Sequence, residues 1–187
     1  MDDELNILPI SEHINNIEPV DVNKVISRKA AEELDNLKNS LAAKEVVGEL
    51  LAKAKTLDQA KVIMTLLDVL NDKSSKTTVS LTAGRGRGKS AAIGLGIAAA
   101  IRLGFSNIFV TAPSPDNLKT LFEFICLGLE SLDYKDRMDY EKIYSASKDH
   151  DKPIIRIEVK KTHTQFIQYV YPTDADKIGH TDLVIID

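Results

Sequence analysis

Between Val22 and Leu41, the apolar or small residues Ile26, Ala30, Leu34, Leu37 and Leu41 recur at intervals of three and four. That spacing lines one face of an α-helix and predicts a helix over 22–41. Residues 45–55 are also helix-compatible, although Gly48 costs about 1 kcal/mol relative to alanine in a helix interior. Thr56-Leu57-Asp58-Gln59 has the spacing of a capping box, in which the threonine hydroxyl accepts the amide three residues on and the glutamine reaches back. The stripe Leu57, Ala60, Ile63, Met64, Leu67 and Leu70 comes next, predicting a third helix whose apolar face is core. Residues 1–21 carry Pro9, Pro19, several acids and no sustained period, which suits a flexible leader.

After the polar cluster Asn71–Lys76 the period changes. Short apolar runs at Thr77–Ala83, Asn107–Ala112, Pro153–Val159, Gln165–Tyr171 and Asp182–Asp187 read as strands. Between the first three lie two helical stretches. Lys89–Leu103 is closed by Gly104, and Pro115–Leu132 is opened by Ser114 as its cap with Pro115 in the first turn. Strands alternating with helices predict an α/β fold with a mostly parallel sheet and flanking helices. The short link between Pro153–Val159 and Gln165–Tyr171 cannot hold a parallel crossover, so those two should form an antiparallel hairpin. The expected organisation is a leader (1–21), a helical segment (22–75) and an α/β lobe (76–187).

Composition changes this picture little. The chain of 187 residues is 43% hydrophobic and 28% charged, ordinary values for a globular protein with a genuine core. No apolar run is long enough to span a bilayer, and the acidic start lacks the basic region of a secretory signal, so no membrane partner and an intracellular setting are expected. Cys126 is the only cysteine, which excludes an intramolecular disulfide and a multi-thiolate zinc site and makes it a core residue. Residues 1–75 hold 9 Lys/Arg against 14 Asp/Glu, and residues 76–187 hold 15 against 14, so the acidity sits in front. A net charge of -4 does not mark a nucleic-acid binder, but it is compatible with a local basic groove.

The chemistry concentrates at Ala83-Gly84-Arg85-Gly86-Arg87-Gly88-Lys89-Ser90, set between a predicted strand and a small-residue helix. This is the context of a phosphate-binding P-loop, here with Ala83 where the usual pattern opens with glycine. Its glycines let the backbone wrap a phosphate with several N–H groups turned inward, and the helix N-terminus adds partial positive charge. Lys89 can reach the β- and γ-phosphates and the Ser90 hydroxyl can ligate Mg²⁺. Arg85 and Arg87 are equally compatible with a phosphate contact and with solvent. Asp182-Leu183-Val184-Ile185-Ile186-Asp187 is an apolar strand ending in a carboxylate, as in a Walker B strand whose aspartate holds the Mg²⁺ shell. Its strand is expected beside that of the P-loop. Thr111-Ala112-Pro113-Ser114-Pro115-Asp116-Asn117 leaves the carboxyl end of a strand, where ligands of open α/β sheets gather, and it suits either nucleic-acid phosphate contacts or plain helix capping. His163, His180 and the five tyrosines show neither metal spacing nor a catalytic companion and are read as packing residues.

The run from Thr56–Lys61, through Leu81–Ala92 and Asn107–Leu118, with Thr120–Phe124, Gln168-Tyr169 and Leu183–Asp187, resembles the RNA cytidine acetyltransferase family over about residues 25–187. The resemblance implies a RecA-like, helicase-type ATPase module of an enzyme that makes N4-acetylcytidine in ribosomal and transfer RNA (rRNA and tRNA). It also implies a place in the nucleus and nucleolus, and protein adaptors as further partners. Carried over by position, Gly86, Arg87, Gly88, Lys89, Ser90 and Ala91 would hold ATP, Ser90 and Asp187 the Mg²⁺, and Thr111, Pro113, Ser114 and Asn117 would lie near RNA. The acetyl-CoA-binding domain, a second ATPase lobe and an RNA-binding tail would come after Asp187, so these residues alone are expected to bind nucleotide with little turnover and no acetylation. Two other readings stay open: a non-catalytic interaction module whose P-loop only stabilises the fold, and a small P-loop kinase or GTPase, for which no Asn-Lys-x-Asp base-specificity motif is present.

Overall fold

The computed structural model describes residues 22–72, 77–84, 86–146, 152–177 and 179–187. The predicted leader (1–21), part of the polar break before the P-loop and Arg85 lie outside the described residues.

Three helices come first: α1 (Val22–Leu41), α2 (Glu45–Ala52) and α3 (Leu57–Asn71). The predicted stripe of α1 is buried only toward its C-terminal half. Leu34 is in the core with Leu37 and Leu41 packed against it, whereas Ile26 is 59% exposed. Gly48 in α2 is required by a close approach, since a Cβ there would stand 2.7 Å from the carbonyl oxygens of Leu41 and Ala42. The cap of α3 forms as expected on one side, the Gln59 amide donating to Thr56 Oγ1 at 3.3 Å. Its reciprocal arm lands one residue earlier, with Lys55 N–H donating to Gln59 Oε1 at 2.8 Å.

Helix α4 (Lys89–Arg102) is the central element, with every residue from Leu95 to Ile101 buried. Its small residues are explained by neighbours on two sides. A Cβ on Gly94 would press on the Leu121 carbonyl and Phe124, and one on Gly96 would press on Leu66 of α3. Gly104, with φ of +93°, ends the helix as predicted, its amide donating to the Ile101 carbonyl at 3.0 Å. Ser114 acts as the predicted cap, but the turn it opens is a 3₁₀ turn (Pro115–Leu118) that leads into α5 (Lys119–Ser131).

The strands are β1 (Asn107–Thr111), β2 (Tyr140–Tyr144), β3 (Ile154–Val159), β4 (Gln165–Tyr169) and β5 (Leu183–Ile186), arranged β2-β3-β4-β1-β5. Strand β1 is parallel to β4 and β5, while β2/β3 and β3/β4 are antiparallel, so the sheet is mixed and contains the predicted hairpin. Ile108, Val110, Ile157, Val159 and Ile167 on one face share a single buried cluster with α3, α4 and α5. Gln165 ties the layers together, its fully buried Nε2 donating to the carbonyls of Ile101 (2.9 Å) and Phe105 (2.8 Å).

Thr77–Ala83, expected to be a buried strand beside β5, is not one. It runs without sheet pairing and is exposed except at half-buried Leu81. Both sides of β1 are taken, Ile108 pairing with Ile167 on one side and Leu183 on the other. A place beside β5 stays open, since β5 is an edge strand paired only with β1 among the described strands, yet Thr77–Ala83 does not pair there. Strand β2 has no counterpart among the strands expected from the sequence. Its Glu141 and Lys142 interrupt the apolar alternation, and it is held at the edge by cross-strand charges such as Lys160 with Glu141 at 3.4 Å.

Candidate phosphate-binding loop and sheet edge

Gly86 and Gly88 both adopt left-handed backbone, with φ of +79° and +76°. Any other residue would pay about 1 kcal/mol or more in that region. Gly88 is the N-cap of α4 and supplies no side chain to its first turn, so the amides of Lys89, Ser90 and Ala91 begin the helix without a side-chain cap. Uncapped N–H groups at a helix start, backed by the macrodipole, attract an anion. Lys89 folds back over the loop, its Nζ donating to the carbonyls of Ala83 at 2.7 Å and Gly84 at 3.1 Å. Ser90 is half-buried, Ala91 is buried and Arg87 is exposed.

The carboxyl edge of the sheet brings a second group together. Asp187, directly after β5, donates its backbone amide to the Thr111 carbonyl at 3.1 Å, so Thr111 and Asp187 are neighbours and the Asp187 carboxylate is exposed. Thr111 Oγ1 is buried without a partner among the described residues. Ser114 is occupied in capping: its Oγ accepts from the Asp116 amide at 3.3 Å and its carbonyl accepts from Asn117 N–H at 3.1 Å. Pro113 and Asn117 are exposed. Tyr169 anchors this corner by donating its hydroxyl to the Ala112 carbonyl at 3.1 Å, and burial pushes its pKa up.

Among the described residues no hydrogen bond or ion pair joins Lys89 or Ser90 to Asp187, and no group of three or more His, Cys, Asp or Glu could hold a metal ion. The opposite end of β1 carries a separate polar cluster. Asp182 accepts from the amides of Ser106 (2.7 Å) and Asn107 (3.0 Å), bonds that hold its carboxyl below the usual carboxylate range, the Asn107 bond being the stronger influence. His163 contacts Ser106 Oγ at 3.0 Å and Thr162 Oγ1 at 3.1 Å. Gln59 is the residue whose position sequence reasoning missed: a Cβ on Gly88 would collide with Gln59 Nε2 and stand 3.0 Å from its Cδ. Its capping role was legible, but nothing in the local pattern places it on the loop.

A glycine-shaped loop opening a buried helix, set against a mixed α/β sheet, defines a P-loop-like domain. The family described as "RNA cytidine acetyltransferase NAT10/TcmA, helicase domain" matches residues 80–187. The chain belongs to the RNA cytidine acetyltransferase family, and residues 80–187 fall within its helicase domain. It is 49% identical over 188 residues to an RNA cytidine acetyltransferase of Caenorhabditis elegans, the match covering 100% of this chain and 18% of that protein. It is 48% identical over 189 residues to the Homo sapiens RNA cytidine acetyltransferase and 46% identical over 189 residues to that of Saccharomyces cerevisiae, again covering 100% of this chain and 18% of each relative. The chain therefore spans less than a fifth of the length of these relatives. No helix among the described residues is long and apolar enough to cross a membrane.

Proposed function

We propose that the loop Gly86–Ala91 binds ATP, and that the chain is the nucleotide-dependent part of an enzyme that acetylates cytidine in ribosomal and transfer RNA. The observation that carries this reading is the loop itself: two left-handed glycines, an uncapped helix start and the Lys89 ammonium directed at the loop carbonyls. A phosphate in the loop would compete with Ala83 and Gly84 for that ammonium, exchanging two neutral acceptors for charged oxygens and the stronger hydrogen bonds they form. The Ser90 hydroxyl and Asp187 carboxylate are hard oxygen donors of the kind Mg²⁺ prefers, and phosphate oxygens and water would complete its shell. The family's acetyl donor, acetyl-CoA, would be held outside these residues.

RNA would approach the carboxyl edge of the sheet at Thr111, Pro113, Ser114 and Asn117. Exposed Asn117 and Pro113 are the available contacts there, since Ser114 is already engaged in capping. ATP turnover would reshape or clamp RNA so that a cytidine reaches the acetyl donor, in the nucleolus and in the service of ribosome biogenesis, with protein adaptors selecting among RNAs. The test is acetylation of RNA by the full-length enzyme with Lys89→Ala. The reading expects ATP-dependent acetylation to fall by at least about tenfold, the loss of one charge-assisted phosphate contact. Acetylation at the wild-type rate would leave the loop as a structural element.

A further inference from the structure

The apolar stripe of α1 is covered over only part of its length. Leu34 is buried, whereas Ile26, about two turns nearer the N-terminus on the same face, is 59% exposed, and Ala30 between them is half-buried. Beside this uncovered half runs a groove of about 750 Å³ bounded by α1, the link from α2 to α3, and α5. Its floor is apolar: Leu34 and Ala54 are buried, and Leu57 of α3 with Phe124 and Leu127 of α5 are half-buried. Ser27, Ala30 and Ala31 on the α1 wall are small, so a ligand can come close to the helix. The rim is basic, with Lys38, Lys53 and Lys55 against a single acid, Asp35. Lys38 Nζ donates to the Ala52 carbonyl at 3.5 Å, while Lys53 and Lys55 are exposed and make no ion pair among the described residues. An apolar floor under a cationic rim accepts a ligand that is both apolar and acidic.

Residues 1–21 have this chemistry. They carry Asp2, Asp3, Glu4, Glu12, Glu18 and Asp21, no lysine or arginine, and the apolar residues Leu5, Ile7, Leu8, Ile10, Ile14 and Ile17. They join the wall of the groove where α1 begins. From Val22 to Lys38 the helix rises about 24 Å, and a segment of this length reaches up to about 70 Å, enough to turn back and follow the groove to its lysine end. The covalent link also keeps the segment at high effective concentration, so individually weak contacts suffice. An isologous contact with a second copy would instead set the lysine rim against itself. We propose that the groove between α1 and α5 is a docking site for the acidic segment 1–21 of the same chain, whose apolar side chains meet the floor and whose carboxylates meet Lys38, Lys53 and Lys55. Docking there covers the exposed half of the α1 stripe and neutralises the rim.

The experiment places a photo-crosslinking benzoylphenylalanine at position 31, where Ala31 is exposed on the groove wall, in the full chain at low concentration. The linked peptides are then mapped by mass spectrometry. The expected product is a crosslink within one chain to a peptide of residues 1–21. Its yield should fall about threefold or more when Lys53→Glu and Lys55→Glu are combined, and again when wild type is irradiated in high salt, because exposed charge pairs are weak and screened. Glu12→Gln combined with Glu18→Gln leaves the groove untouched and should lower the yield in the same direction, which keeps the test decisive even where the lysine variant is destabilised. Absence of any crosslink to residues 1–21 overturns the proposal. Crosslinks formed only between chains overturn it in favour of a second copy as the occupant. A yield to residues 1–21 that neither pair of substitutions nor salt changes also overturns it, since that is the signature of random encounter by a tethered chain.

Discussion

Gly94 and Gly96 lie on the same buried helix, and replacing either by alanine offers the same gain of about 1 kcal/mol in helix propensity. They differ in what a new methyl group would meet. At Gly94 the methyl stands 2.7 Å from the Leu121 carbonyl oxygen, 2.9 Å from Phe124 Cβ and 3.1 Å from the Ile125 nitrogen. A carbon–oxygen contact rests at about 3.3 Å or more, so α5 must retreat by roughly 0.6 Å along a stretch of backbone that cannot change rotamer. Overpacking of this kind costs about 1–3 kcal/mol, and against backbone the upper part of that range applies, leaving Gly94→Ala about 1–2 kcal/mol less stable than wild type. At Gly96 the methyl meets only Leu66 Cδ1 closely, at 2.6 Å, and that side-chain tip can rotate away. The cost there should cancel the propensity gain to within about 0.5 kcal/mol. Urea unfolding of the two variants, analysed by linear extrapolation at a common m-value, measures the difference. Equal stability of Gly94→Ala and Gly96→Ala would refute the claim that the α4–α5 approach is set by backbone contact.

Asp182→Ala should cost about 2 kcal/mol at neutral pH, the worth of charge-assisted hydrogen bonds from Ser106 and Asn107 on a partly exposed carboxylate. Because the folded-state pKa of Asp182 is lowered, that stabilisation is present above the ordinary carboxylate pKa of about 4 and is lost as pH falls through the folded value. Wild type and variant should therefore converge in stability in acid, and a gap that stays constant from pH 7 downward would contradict the assignment. Burial pushes the Cys126 thiol up to about 11. A thiol reagent at pH 8 should therefore label the native protein only as fast as it opens, and labelling at the rate of a free thiol would place Cys126 at the surface.

Local chemistry made much of this fold legible in the sequence. The 3–4 spacing of α1 marks a helix that the structure places at Val22–Leu41, because an amphipathic stripe and a polar flank are both local signals. Gly104, Ser114 and the capping threonine Thr56 likewise act through their own backbone neighbours. Partnership across the chain was not legible. The Thr77–Ala83 run has strand composition, but whether it pairs depends on contacts with distant strands, and it stays unpaired although the outer edge of β5 is open among the described strands. Strand β2 was obscured by its charges: Lys142 pairs with Asp136 just ahead of the strand, and Glu141 meets Lys160 only once β3 lies alongside. Within the candidate site, the glycines and Lys89 could be read from spacing, whereas the arrival of Gln59 at Gly88 depends on the parallel alignment of α3 and α4.

The central claim is that the Gly86–Ala91 loop is a phosphate site. Equilibrium binding of Mg²⁺·ATP to wild type and Lys89→Ala, with inorganic pyrophosphate as competitor, tests it most directly. The account predicts saturable binding, displacement by pyrophosphate, and a loss of at least about tenfold in Lys89→Ala, the worth of one charged phosphate contact. Equal affinity in the variant, or binding that pyrophosphate does not displace, would contradict it.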